Sequence, residues 1–187
     1  MPNVKQPQKA RCIAIVATMG ALGNVLALLS MYIAPIHPQV AVDLSHIGTF
    51  VAAMYCGPGW GLVTGALVAL VPFYKFGVTG WYGPLLGAAI IPGKALTGLT
   101  FGFLVKRFRP FTSVILGFVP EFLFTYVFLK YITVYFIPQL ATFMTDAVVL
   151  SILTKAWFEM LIMAFVIEAI HRKQLLGGIL QSVRTKQ

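Results

Sequence analysis

Apolar positions along the chain fall into long unbroken blocks, not into the alternating pattern of half-buried strands. A membrane crossing needs about 20 apolar residues. On that measure six blocks predict helices at approximately 12–34, 43–57, 60–77, 83–105, 111–130 and 147–170. The second block is short, and Tyr131 to Pro138 adds a further apolar stretch, so counts of five and seven stay open beside six. Turns separate the blocks. Cys56-Gly-Pro-Gly-Trp-Gly is a tight one. Pro35-Ile-His-Pro and the aromatic segment from Val71 to Pro84 are looser. In that segment Phe73, Tyr74, Trp81 and Tyr82 form either an interfacial belt or a lid over a cavity.

Composition agrees. Of 187 residues 59% are apolar and only 10% charged, which no soluble domain of this size needs. The fold class expected is an all-α membrane protein, a six-transmembrane-helix bundle forming a single integral membrane domain over 1–187. Short basic tails would occupy about 1–11 and 171–187. The long continuous runs, without period-two alternation, argue against a transmembrane β-barrel. The first block exceeds the 7–15 residues of a signal-peptide core, so it is read as a retained helix.

The net charge of +9 changes the picture only through its placement. Ten of the fourteen basic residues sit in three clusters beside apolar blocks: Lys5, Lys9 and Arg11; Lys106, Arg107 and Arg109; Arg172, Lys173, Arg184 and Lys186. With six crossings all three clusters share one side, leaving Lys75 and Lys130 on the other. The positive-inside rule makes the topology N-in/C-in, in a multi-pass cell-membrane protein in contact with the lipid bilayer. No nucleic-acid partner is implied. Cys12 and Cys56 would both lie near cytoplasmic ends, where a disulfide is not expected. No C-x-x-C or His/Cys cluster supports a metal, and no cofactor is indicated.

Lys94, Glu121, Lys155 and Glu159 interrupt the apolar blocks. Each charge at a bilayer centre costs about 2.5–3.5 kcal/mol on insertion scales, so such groups turn inward. At 1.5 Å rise per residue Lys94 lies ~16 Å below Gly83, near the middle of a ~30 Å core, and the others reach similar depth. They would converge if the fourth, fifth and sixth helices are neighbours, either as mutually cancelling ion pairs or as a ligand site. Asp43 and His46 open the second helix, Asp43 as an N-cap or as the polar rim of an outward cavity. Small residues recur at helical spacing: Ala10, Ala14, Ala17 and Ala21 in the first helix, Gly57, Gly61 and Gly65 in the third. Such stripes serve close helix approach, within the bundle or against another subunit. No catalytic motif or nucleotide loop is present, so the chain is read as no enzyme.

These segments together resemble the substrate-binding (S) components of energy-coupling factor (ECF) vitamin transporters. The likeness rests on the order of a basic N-terminus, Ala17-x-x-x-Ala21, Asp43-Leu-Ser-His-Ile-Gly-Thr-Phe-Val-Ala-Ala, Gly57-Pro-Gly-Trp-Gly-Leu-Val-Thr-Gly, and Pro92-Gly-Lys-Ala-Leu-Thr-Gly-Leu-Thr-Phe-Gly-Phe-Leu before a basic loop. It covers nearly the whole chain in length, span count and orientation. The resemblance implies a subunit that captures a vitamin or cofactor precursor from outside. Delivery would run through a transmembrane coupling subunit and two ATPase subunits. It further implies that Ala14, Ala17 and Ala21 face the coupling subunit. Trp81, Tyr82, Lys94, Glu121, Lys155 and Glu159, with Asp43 and His46, would line the substrate cavity. The Met-His start of the metal-specific members is not matched by Met1-Pro2-Asn3, and no thiamin, biotin or riboflavin signature stands out. The charge balance and the aromatic loop suit a polar, partly aromatic or carboxylate-bearing cargo. A membrane-embedded enzyme subunit or a structural membrane protein is the alternative.

Overall fold

A computed structural model of the chain describes residues 5–33, 35–37, 40–41, 43–80, 83–142 and 144–184. Helices dominate. They are α1 (Lys5–Ile33), α2 (His46–Cys56), α3 (Pro58–Val68), α4 (Leu70–Pro72), α5 (Gly83–Gly87), α6 (Ile90–Leu104), α7 (Pro110–Val127), α8 (Thr133–Phe136) and α9 (Asp146–Arg184). Short π-helical turns at Phe73–Val78 and Phe128–Ile132 prolong α4 and α7, and a 3₁₀ turn spans Pro138–Thr142. The first loop forms a small antiparallel ribbon of β1 (Pro35–His37) and β2 (Val40–Ala41).

Each apolar block becomes helical. Four helical stretches are long and apolar enough to cross a membrane: Gln8–Tyr32, Pro58–Val78, Pro110–Phe136 and Asp146–Lys173. His46–Cys56 and Ile90–Leu104 are shorter. The aromatic segment after Val71 begins as helix, not loop, because the π turn carries the third helix on to Val78. Likewise Tyr131 to Phe136 extends the fifth helix.

The packing follows from glycine. α3 lies against α6, where a Cβ on Gly65 would strike the Lys94 carbonyl and one on Gly61 the Gly98 carbonyl. Only hydrogen at those positions lets the two backbones touch, the usual device where lipid removes any hydrophobic drive between helices. α7 packs on α6 and α9 on α7, so the three helices bearing the intramembrane charges are neighbours. The Thr100 hydroxyl donates to the Gly117 carbonyl at 2.5 Å and ties α6 to α7. A core of Phe50, Phe101, Val114, Phe118, Met160, Met163 and Ile167 fills the space between α2, α6, α7 and α9. Gly57, at φ +91°, turns the chain sharply, and Pro58 starts α3 directly after it.

The expectation of two free cysteines is overturned. Cys12 and Cys56 join as a disulfide with Cα atoms 5.6 Å apart, because α1 and α2 pack side by side and bring the start of one to the end of the other.

Candidate functional site: a charged cavity at one end of the bundle

The second helix is the key to the site. α2 has 11 residues, so it rises only ~16 Å against a ~30 Å hydrocarbon core. Its start, with Ser45 and His46 buried, lies inside the bundle, and the non-helical backbone before it needs protein or water to satisfy it. Asp43 and Ser45 occupy that stretch, followed by His46 at the first helical position. They meet Lys94, five residues into α6, and Glu159 from α9.

Two linked chains of contacts result. Lys94 Nζ lies 2.6 Å from Asp43 Oδ2 and donates to Ser45 Oγ at 2.7 Å. The Asp43 backbone N–H donates to Glu159 Oε1 at 2.8 Å, and Lys155 Nζ stands 3.2 Å from the same oxygen. On the other side His46 Nε2 is 3.3 Å from Glu121 Oε2, which also accepts the Thr97 hydroxyl. Lys94, Glu159 and His46 are buried, at 4%, 6% and 3% exposure, deep enough that an unmatched charge would be costly. His46 Nδ1 and the Thr49 hydroxyl are buried without a hydrogen-bond partner among the described residues.

A cavity of about 200 Å³ adjoins these groups. Asp43, His46, Lys94, Glu121, Lys155 and Glu159 all line it, with the rings of Phe76 and Phe118 as apolar walls. Its wall residues come from the first turns of α2 and α6, the end of the third helix, the second half of α7 and the first half of α9. It therefore belongs to the end of the bundle opposite the Lys106–Arg109 loop. The ionic groups pair with one another and also border this void.

Asp43 departs from its expected capping role. Ser45 holds the N-cap position of α2 and makes no side-chain cap bond, while Asp43 Oδ1 accepts the Ser45 N–H at 2.9 Å and its other oxygen takes Lys94. This adds a third carboxylate to a set that the sequence balanced as two lysines and two glutamates. Trp81 and Tyr82 lie outside the described residues. Of the aromatic segment it is Phe76, not Tyr74, that faces the cavity; Tyr74 is 61% exposed. Ser45 and Thr97 were missed, though Thr97 sits one helical turn beyond Lys94, a spacing that pointed to it.

Ala10, Ala14, Ala17 and Ala21 of α1 are all exposed on the outside of the bundle. No group of three or more His, Cys, Asp or Glu able to hold a metal occurs among the described residues. No family model, curated protein or solved structure matches the chain.

Proposed function

We propose that this protein is the substrate-binding subunit of an ECF-type importer. It sits in the cell membrane as a six-span N-in/C-in bundle and takes a vitamin or cofactor precursor from outside. Cargo then passes inward through a transmembrane coupling subunit driven by two ATPase subunits. α2 and the broken α5–α6 pair complete the six crossings together with the segments that flank them. The chain itself performs no catalysis.

One observation carries this reading: a cavity lined by three carboxylates, two lysines and a histidine, within a bundle whose exterior is apolar. Intramembrane ionisable groups are expensive and mark substrate sites by default. The exposed alanines of α1 offer a smooth face for a coupling subunit.

The cavity also narrows the cargo. Asp43, Glu121 and Glu159 outnumber Lys94 and Lys155 when His46 is neutral. The unpartnered His46 Nδ1 accepts a hydrogen bond whenever Nε2 bears the proton facing Glu121. Both features suit a small molecule rich in N–H donors, or carrying a basic nitrogen, better than an anionic one. Phe76 and Phe118 provide the apolar walls for a flat ring.

The test is mass spectrometry of small molecules retained by the purified protein, followed by binding of the compound found. Glu159→Gln is expected to weaken it more than tenfold, about 1.4 kcal/mol. Unchanged affinity with lowered thermal stability would instead make these groups internal ion pairs.

A further inference from the structure

A second recess lies at the other end of the molecule, where α7 begins and the apolar stretch of α9 ends. It encloses about 530 Å³ and is lined by Arg109, Phe111, Thr112, Phe165, Glu168, Ala169 and Arg172. We infer that this groove binds the phosphate headgroup of one anionic phospholipid, with the lipid's acyl chain lying along Phe165.

The charge of the groove favours an anion. Glu168 is its sole carboxylate, and both oxygens are engaged: Oε1 accepts Arg172 Nε at 3.0 Å and Oε2 the Phe111 N–H at 3.3 Å. Arg109 is exposed and makes no ion pair among the described residues. The contact from Arg172 uses Nε, and its side chain is otherwise 69% exposed. Two guanidiniums against one occupied carboxylate leave a net positive site. A planar guanidinium fork matches phosphate oxygens in pairs. Lys106, Arg107 and Lys173 stand beside it in the chain and raise the local potential.

Position selects a lipid over a soluble anion. The candidate spans Pro110–Phe136 and Asp146–Lys173 both end at this groove, which puts it at the headgroup level of the bilayer. Phe111 and Phe165 meet edge to face, centroids 5.0 Å apart, on the bilayer side of the arginines, and Phe165 is 66% exposed. A polar rim above an apolar step fits an amphiphile. Basic pockets between membrane helices take anionic headgroups on the same physical grounds.

The test uses full-length protein in nanodiscs of equimolar phosphatidylglycerol and phosphatidylcholine, with retained lipids counted by native mass spectrometry. One phosphatidylglycerol is expected on the wild type. Retention falls at least tenfold in the R109Q/R172Q double variant and partially in R109Q, whose exposed, unpaired side chain makes a folding defect implausible as the cause. Equal retention in the variants, or retention of both lipids in their bulk ratio, overturns the proposal. Displacement of the lipid by millimolar inorganic phosphate overturns it in favour of a soluble anion. Variants that keep the lipid but lose a copurifying polypeptide overturn it in favour of protein docking.

Discussion

The two faces of α1 carry the same kind of sequence and meet opposite fates. Val16, Gly20, Gly23, Ala27 and Ser30 recur at helical spacing and are buried against α2 and α3. Ala10, Ala14, Ala17 and Ala21 recur at the same spacing and are exposed. On the inner face smallness is required. A Cβ on Gly23 would lie 2.8 Å from the Ser45 carbonyl and crowd Val68, and one on Gly48 would strike the Met19 carbonyl. On the outer face nothing within the described chain needs it. Small residues there either face lipid indifferently or meet another protein, the role the proposed function assigns to them.

The sharpest way to break the comparison is a matched pair of substitutions on the one helix. Gly23→Leu pushes a branched side chain into backbone that cannot retreat. Overpacking costs typically 1–3 kcal/mol and more when a backbone atom is in the way. Because Ser45 also receives Lys94, the variant should lose the folded bundle and its cavity together, seen as aggregation in detergent or a collapse of the thermal transition. Ala17→Leu places the same side chain on the exposed face and should leave thermal stability within about 0.5 kcal/mol. Equal damage from both would mean the outer stripe is also a packing surface.

A second substitution sharpens the meaning of the outer face. Ala17→Trp is expected to abolish uptake in cells while ligand binding and thermal stability of the isolated protein persist. Transport assays beside binding by calorimetry separate the two. Loss of binding would show that α1 supports the cavity through this face, against its exposure.

The contrast also shows what the sequence could reveal. Helicity and the presence of helices long and apolar enough to cross a membrane were readable from block length, and the inward turn of Lys94, Glu121, Lys155 and Glu159 from the cost of charge in hydrocarbon. Which face of a helix turns inward was not, because lipid and protein interior are equally apolar and the usual amphipathic signal vanishes. Pairings remote in the chain were equally hidden. Asp43 meets Lys94 across 51 residues and Glu159 across 116, so local rules offered only a helix cap. Cys12 and Cys56, 44 residues apart, were read as free because of the cytoplasmic side assigned to them, and their bond overturns that reading. The basic groove at Arg109 and Arg172 was visible as two charge clusters, while their convergence on Glu168 needed the packing of α7 on α9.

The mildest test probes the polar residue that pins the inner face of α1. Asn24 donates to the Leu67 carbonyl at 2.8 Å and to the Gly20 carbonyl at 2.9 Å, and its Oδ1 accepts the Val71 N–H at 3.0 Å. It thereby serves the backbone at the break between α3 and α4, next to Pro72 of the cavity wall. Hydrogen bonds between membrane helices average about 0.6 kcal/mol and reach about 1.7. Asn24→Leu keeps a similar volume but removes the bridge, so it should cost about 1–2 kcal/mol of stability in a reversible unfolding titration. Val71 would be left with an unanswered N–H beside the π turn that carries Phe76. Ligand affinity should consequently fall modestly, by less than the tenfold loss expected of Glu159→Gln. A fall as large as that of Glu159→Gln would mean that α1, through Asn24, sets the shape of the cavity as strongly as the charges within it.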